Sequence, residues 1–163
     1  MSSIYLFDWG DTLMLDFPKY SGKMCDWEEL EAVSGAKNTL KYLSLSSKIY
    51  IATGASESSE EEIKSAFQKV ELDEYISGYF CKANLGIEKG NIAFFQKIIE
   101  KLDVPFHDVM MVGDSLSRDI KPALQLGINV AWFCPNKSPS PNDDIRVINK
   151  LEELCQTSRK GKV

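Results

Sequence analysis

Five short apolar runs punctuate the chain, at residues 4–8, 48–53, 78–81, 109–113 and 129–133, and each ends in a polar or glycine-containing turn. Their length, their β-branched and aromatic content and their lack of strict alternation predict strands buried on both faces. Between them the apolar spacing changes to that of helices. Residues 36–45 set Leu40, Tyr42, Leu43 and Leu45 on or near one face. Residues 59–70 open with Ser59 and the glutamates 60–62, a favourable start by capping and by the helix dipole. Residues 88–102 carry Ile92, Phe95, Ile98 and Ile99 at helical spacing, and 117–126 stop at Gly127, a left-handed helix end. A last helix over 143–155 is expected to bury Ile145, Ile148, Leu151 and Leu154. Strands alternating with helices predict a doubly wound α/β fold, a parallel sheet of about five strands with helices on both faces. No repeat and no second domain interrupt the pattern. Residues 1–157 are expected to form one core, with 138–142 a short loop and the basic tail 158–163 frayed.

Composition narrows the class. The 163 residues suffice for one sizeable hydrophobic core. With 44% hydrophobic and 26% charged residues the chain has an ordinary globular balance. A net charge of −5 and a pI near 5.0 give no general affinity for nucleic acid or an anionic membrane. No apolar stretch approaches the roughly 20 residues needed to cross a bilayer. The first strand begins so early that no leader peptide is expected. Cys25, Cys81, Cys134 and Cys155 are scattered without C-x-x-C spacing. They read as reduced thiols rather than zinc ligands and point to a cytoplasmic setting.

The chemistry lies where the strands end. Asp8 closes the first apolar run and is followed by Trp9-Gly10-Asp11-Thr12-Leu13. Open parallel sheets bind ligands at the carboxyl ends of their strands, so an ionised aspartate at that tip is a candidate for chemistry. The plainer alternative is an aspartate that caps the next turn. The second run ends in Thr53-Gly54-Ala55-Ser56, a hydroxyl and free backbone amides suited to an anion, although such residues also serve turns. Lys89 stands at the start of a helical segment, where a cation opposes the dipole unless an anion is close. Taken alone, a lysine is ordinarily a solvated surface residue. The strand at 109–113 runs into Gly113-Asp114-Ser115, with Asp119 about one helical turn on. Two carboxylates at one strand edge repel unless a cation lies between them, and hard oxygen ligands suit Mg²⁺. Otherwise Asp119 pairs on the helix surface and Asp114 shapes the turn. His107, the single histidine, reads as part of a surface connector.

Together, Asp8 with Thr12-Leu13, Thr53, Lys89, and Gly113-Asp114-Ser115 with Asp119 resemble the four motifs of the haloacid dehalogenase superfamily, over residues 4–133. The order also separates the chain from response-regulator receiver domains, whose acidic pair lies on the first strand. The resemblance implies that Asp8 is a nucleophile that attacks phosphorus and carries an aspartyl-phosphate. It implies Mg²⁺ held by Asp8, Asp114 and the Gly10 carbonyl, with Asp119 near. Thr53, Gly54 and Lys89 would bind the phosphoryl group of the substrate and stabilise its oxygens. Residues 13–18 resemble the small hairpin flap that follows the first motif. The implied activity is Mg²⁺-dependent hydrolysis or transfer of a phosphoryl group.

Two features depart from the phosphatase pattern. Such members carry a second aspartate two residues after the nucleophile as a general acid, whereas this chain has Gly10 there and Asp11 one residue later. Asp11 is a candidate displaced acid, because Gly10 permits unusual backbone angles. The alternative is a weakly active or non-catalytic binding module that keeps the fold. The segments in which caps are inserted are short, which implies no cap domain and an open site, accessible to a large phosphorylated substrate. No nucleic-acid or membrane partner is expected, and the oligomeric state is left open. The loop at 17–27, with its aromatics and two lysines, reads either as a substrate rim or as an ordinary connection.

Overall fold

The computed structural model describes residues 3–156, so the tail expected to be frayed at 158–163 lies outside the described residues. Six strands, β1 (Ile4–Phe7), β2 (Lys48–Ala52), β3 (Gly78–Phe80), β4 (Val109–Gly113), β5 (Asn129–Phe133) and β6 (Arg146–Ile148), form one sheet in the order β3-β2-β1-β4-β5-β6. Every neighbouring pair is parallel. The helices are α1 (Ala36–Leu43), α2 (Glu60–Lys69), α3 (Lys82–Leu85), α4 (Ile92–Leu102) and α5 (Lys121–Gln125). Side chains of β1 alternate between two cores. Tyr5 and Phe7 pack with Leu40 of α1 and Phe67 of α2, whereas Ile4 and Leu6 pack with Phe94 and Phe95 of α4 and Ala123 of α5. Helices therefore cover both faces, as a sheet of continuous apolar strands requires. Among the described residues no inserted domain stands over the strand tips.

The register places the site. Phe7 is level with Ile51 on one side and Val112 on the other, so β1, β2 and β4 end side by side. The chain runs outward from β1 through β2 to β3 and returns to β4 beside β1. That makes the β1–β4 boundary the topological switch point, where open α/β sheets form their ligand crevice. Asp8 and Asp114 leave the sheet on its two sides.

Several expectations are corrected. The sheet has six strands, because 143–155 is not a helix: Arg146–Ile148 pairs with Ala131–Phe133, and a 3-10 segment, Leu151–Gln156, follows. β5 would otherwise present a bare edge, and the β-branched Val147-Ile148 pair favours an extended chain. Ile145, Ile148, Leu151 and Leu154 are still buried. Their spacing marked burial, not helical geometry. α1 ends at Leu43 and buries Ala36, Leu40 and Leu43, while Tyr42 and Leu45 are exposed. The helix expected from 88 begins only at Ile92, because Gly90 has φ +112° and Asn91 caps the Phe94 N–H. The helix expected at 117–126 splits into a wide π turn, Leu116–Ile120, and α5. Residues 13–18 form no hairpin of their own. Leu15 N–H donates to the Glu31 carbonyl and Val33 N–H to the Leu13 carbonyl, so this segment pairs with residues 31–33.

Candidate active site

β1 delivers Asp8 to the switch point, and the Asp8 N–H donates to the Val112 carbonyl at 2.9 Å, tying the tip to β4. Asp8 Oδ2 accepts from Thr12 Oγ1 at 3.2 Å and Oδ1 accepts from Lys89 Nζ at 2.7 Å. Lys89 lies in the turn before α4 and is buried. Its ammonium also meets Asp119 Oδ1 at 2.6 Å and donates to the Ala52 carbonyl at 2.7 Å. An ammonium has three donors, and each has an acceptor here.

Asp119 is 1% exposed, and its Oδ2 accepts the Ser115 N–H at 3.1 Å. The π turn carries it back against the end of β4: a Cβ built on Gly113 would lie 2.2 Å from Asp119 Oδ2 and 2.7 Å from Asp119 Cβ. Only glycine leaves room for this carboxylate. Gly113→Ala is therefore expected to cost ~1–3 kcal/mol through overpacking, read as a lower denaturant midpoint at unchanged m. Asp114 is fixed from its backbone, since Trp132 Nε1 donates to the Asp114 carbonyl at 2.9 Å.

One carboxylate oxygen from each of Asp8, Asp114 and Asp119 lies within 4.8 Å of the other two. Their protonation records the crowding. Burial pushes Asp114 up to about 8, and the adjacent Asp8 and Asp119 add to it. Burial also raises Asp119, with Lys89 offsetting part of the effect. At Asp8 burial acts the same way and is the largest single influence, but Lys89, a hydrogen bond with Asp114 and the Trp9 N–H together outweigh it and hold the carboxyl below its ordinary value. Burial opposes the Lys89 charge, yet Asp8 and Asp119 keep its pKa above the usual lysine value. Once all three are ionised, the carboxylates carry two negative charges more than the Lys89 ammonium offsets. A surplus of that size on hard oxygen donors fits a divalent cation such as Mg²⁺.

Thr53 and Gly54 border the same space. Thr53 Oγ1 accepts the Ala55 N–H at 3.1 Å, holding the turn after β2. A Cβ on Gly54 would fall 2.0 Å from Arg118 Nη2, so the glycine makes room for that guanidinium. The unusual backbone in the first loop is at Asp11 (φ +59°), while Gly10 is not in the left-handed region. Asp11 Oδ1 accepts the Asp16 N–H at 3.0 Å.

Every site residue singled out in the sequence lines one open cavity of about 560 Å³. The loop at 17–27 supplies a wall through Met24, Tyr20 and Trp27, the two rings stacked at 5.4 Å, so it is a rim rather than a remote connection. His107 is exposed and takes no part in the lining. Sequence reasoning missed Arg118, Asp16 and Trp132. Arg118 had a visible mark, a cation directly before Asp119. Asp16 had a weaker one, a carboxylate soon after the first motif, and Trp132 had none.

Residues 5–127 match the haloacid dehalogenase-like hydrolase family. The chain belongs to that family. It is 25% identical over 128 residues to the putative HAD-hydrolase YfnB of Bacillus subtilis (strain 168), covering 76% of this chain and 53% of that protein. It is 27% identical over 104 residues to the glyceraldehyde 3-phosphate phosphatase of Pyrococcus furiosus, covering 64% of this chain and 42% of the other. The chain thus spans about half the length of the curated relatives it matches. The magnesium-bound crystal structure of YfnB superimposes with a TM-score of 0.77 at 18% identity, over 96% of this chain and 98% of that one. An uncharacterized protein from Listeria monocytogenes serotype 4b gives 0.83 at 19% identity over 99% of both chains. Among the described residues of this HAD-like hydrolase, no helix is long and apolar enough to cross a membrane.

Proposed function

We propose that this HAD-like hydrolase cleaves phosphate monoesters with Mg²⁺ through an aspartyl-phosphate on Asp8. The observation that carries the reading is Asp8 itself, a strand-tip carboxylate kept ionised by Lys89 and opening into the cavity. Asp8 and Asp114, with Asp119 near and the backbone carbonyl of Gly10, which lines the same cavity, would hold Mg²⁺. Bound there, the ion screens carboxylate from ester and polarises the phosphoryl oxygens. An Asp8 oxygen forms a bond to phosphorus as the ester P–O bond breaks. Thr53 and the Gly54 amide would meet the phosphoryl oxygens, where charge is spread in the transition state, and Lys89, bonded to Asp8, would add its positive charge from behind. Water then attacks the acyl-phosphate, returning the Asp8 carboxylate and releasing inorganic phosphate. Similarity to a phosphatase supports the ester class. The uncapped cavity supports access for large phosphorylated substrates, and four unpaired thiols, three of them buried, support a reducing, cytoplasmic setting.

Turnover of a panel of phosphate esters with Mg²⁺ and with a chelator tests the proposal. Phosphate release that stops on chelation is expected. A protein that binds Mg²⁺ yet releases phosphate from no ester overturns it, and then Gly10 favours the non-catalytic binding module. Two measurements test the metal ligands. Asp114→Asn should weaken Mg²⁺ binding in calorimetry by at least about tenfold while the fold persists. Mg²⁺ affinity should also rise with pH up to about 8 and then level, because the ion must displace the proton that burial and its neighbours keep on Asp114. Affinity independent of pH between 5 and 8 would remove Asp114 from the set.

A further inference from the structure

Breaking an alkyl ester leaves an alkoxide that needs a proton, and the reaction proposed above names no donor. The cavity is lined by five aspartates, Asp8, Asp11, Asp16, Asp114 and Asp119. Asp8 is committed as nucleophile, and Asp114 and Asp119 belong to the crowded cluster beside it. Asp11 is held in a left-handed turn with its Oδ1 closed on the Asp16 N–H. Its carboxylate shapes the loop. Asp16 remains, exposed, and among the described residues its carboxylate has no hydrogen-bond or ion-pair partner.

Its position is specific. Two residues after the nucleophile, Gly10 presents no side chain to the cavity. An ideal Cβ there would meet nothing within 4 Å except Asp16, at 3.8 Å from its Cβ and 3.9 Å from its Oδ2. The Asp16 carboxylate therefore borders the space that a side chain on residue 10 would enter, on the wall of the same cavity as Asp8. The Asp11 anchor holds it there across a turn closed by the Asp11 N–H to Met14 carbonyl bond of 2.6 Å. Asp11 thus anchors Asp16 from further along the chain, beside a residue 10 that brings no carboxylate of its own.

We infer that Asp16 is the catalytic general acid and base of this site. The inference rests on the phosphatase reading. In the first step the protonated Asp16 carboxyl gives its proton to the leaving oxygen as the P–O bond breaks, releasing the alcohol and leaving aspartyl-phosphate and an ionised Asp16. In the second, Asp16 takes a proton from the water whose oxygen attacks phosphorus. The Asp8–phosphorus bond breaks, inorganic phosphate leaves, and Asp16 is protonated again.

The test compares glycerol 3-phosphate, whose leaving group needs a proton, with 4-nitrophenyl phosphate, whose leaving group does not. Asp16→Asn should lower kcat/KM on the alkyl ester by ~10²–10⁴ and on the aryl ester by less than about tenfold. A structural role would depress both alike. Adding Gly10→Asp to Asp16→Asn returns a carboxylate to the same part of the cavity, and the open surroundings of the Gly10 Cβ accommodate it. This double variant should recover turnover of the alkyl ester. Equal losses on the two esters, or no loss, would overturn the role of Asp16 while wild-type turnover leaves Asp8 in place. Absence of wild-type turnover on both esters would overturn the phosphatase reading and this inference with it.

Discussion

Lys89→Met should lower stability at pH 7 by about 3–5 kcal/mol, the usual cost of removing one partner of a buried ion pair. For a chain of this size that is a fall in Tm of roughly 6–20 °C. The side chains of Lys89 and Asp119 are 2% and 1% exposed, so the carboxylate left behind has no access to solvent. Methionine matches the length of lysine but donates nothing to Asp8, Asp119 or the Ala52 carbonyl. The pH dependence identifies the cause. In the wild type the Lys89 pKa lies above its ordinary 10.5, so the stability it contributes is complete below that value and is lost only as pH rises through the higher folded value. In the variant, buried carboxylates without a cation have folded pKa values raised above their unfolded ones. The folded state then binds more protons, and stability falls as pH climbs above about 4. The deficit against wild type is therefore small near pH 4 and complete by about pH 8, which thermal melts across that range would show. An unchanged Tm, or a deficit of constant size, contradicts the assignment of Lys89 as the charge that balances the cluster.

That balance is where sequence and structure part company. The strand tips were legible because an apolar run that stops at Asp8, Thr53 or Asp114 declares both its burial and its end. Two-sided burial in turn implied parallel strands under two layers of helices. The last strand was not legible, since Ile145, Ile148, Leu151 and Leu154 satisfy helical spacing while the open edge of β5, a tertiary fact, claims Arg146–Ile148. Lys89 was read as a cation near a helix start, a local argument. Its actual partners, Asp8 and Asp119, are distant in the chain and meet it only through the sheet order. Arg118 and Asp16 escaped for a related reason. Arg118 reaches across the bare Gly54 and Asp16 comes within 4 Å of where a Cβ of Gly10 would lie, and neither approach is visible until the chain is folded.

The largest functional effect is expected at Asp8. Asp8→Asn keeps the size of the side chain and its contact with Thr12 but replaces an ionised oxygen nucleophile with a neutral amide. Turnover of every ester should fall by at least about 10⁴-fold, as when an enzyme loses its nucleophile. Loss of activity alone would not separate a nucleophile from a metal ligand, because Asp8 is placed to be both. The covalent intermediate separates them. Wild-type protein mixed with Mg²⁺ and a phosphate ester, quenched rapidly and treated with borohydride, should carry homoserine at position 8 in peptide mass spectra, the product of reducing an aspartyl-phosphate. Phosphate release by the wild type with no reducible acyl-phosphate at Asp8, or with the label on another residue, would contradict the account.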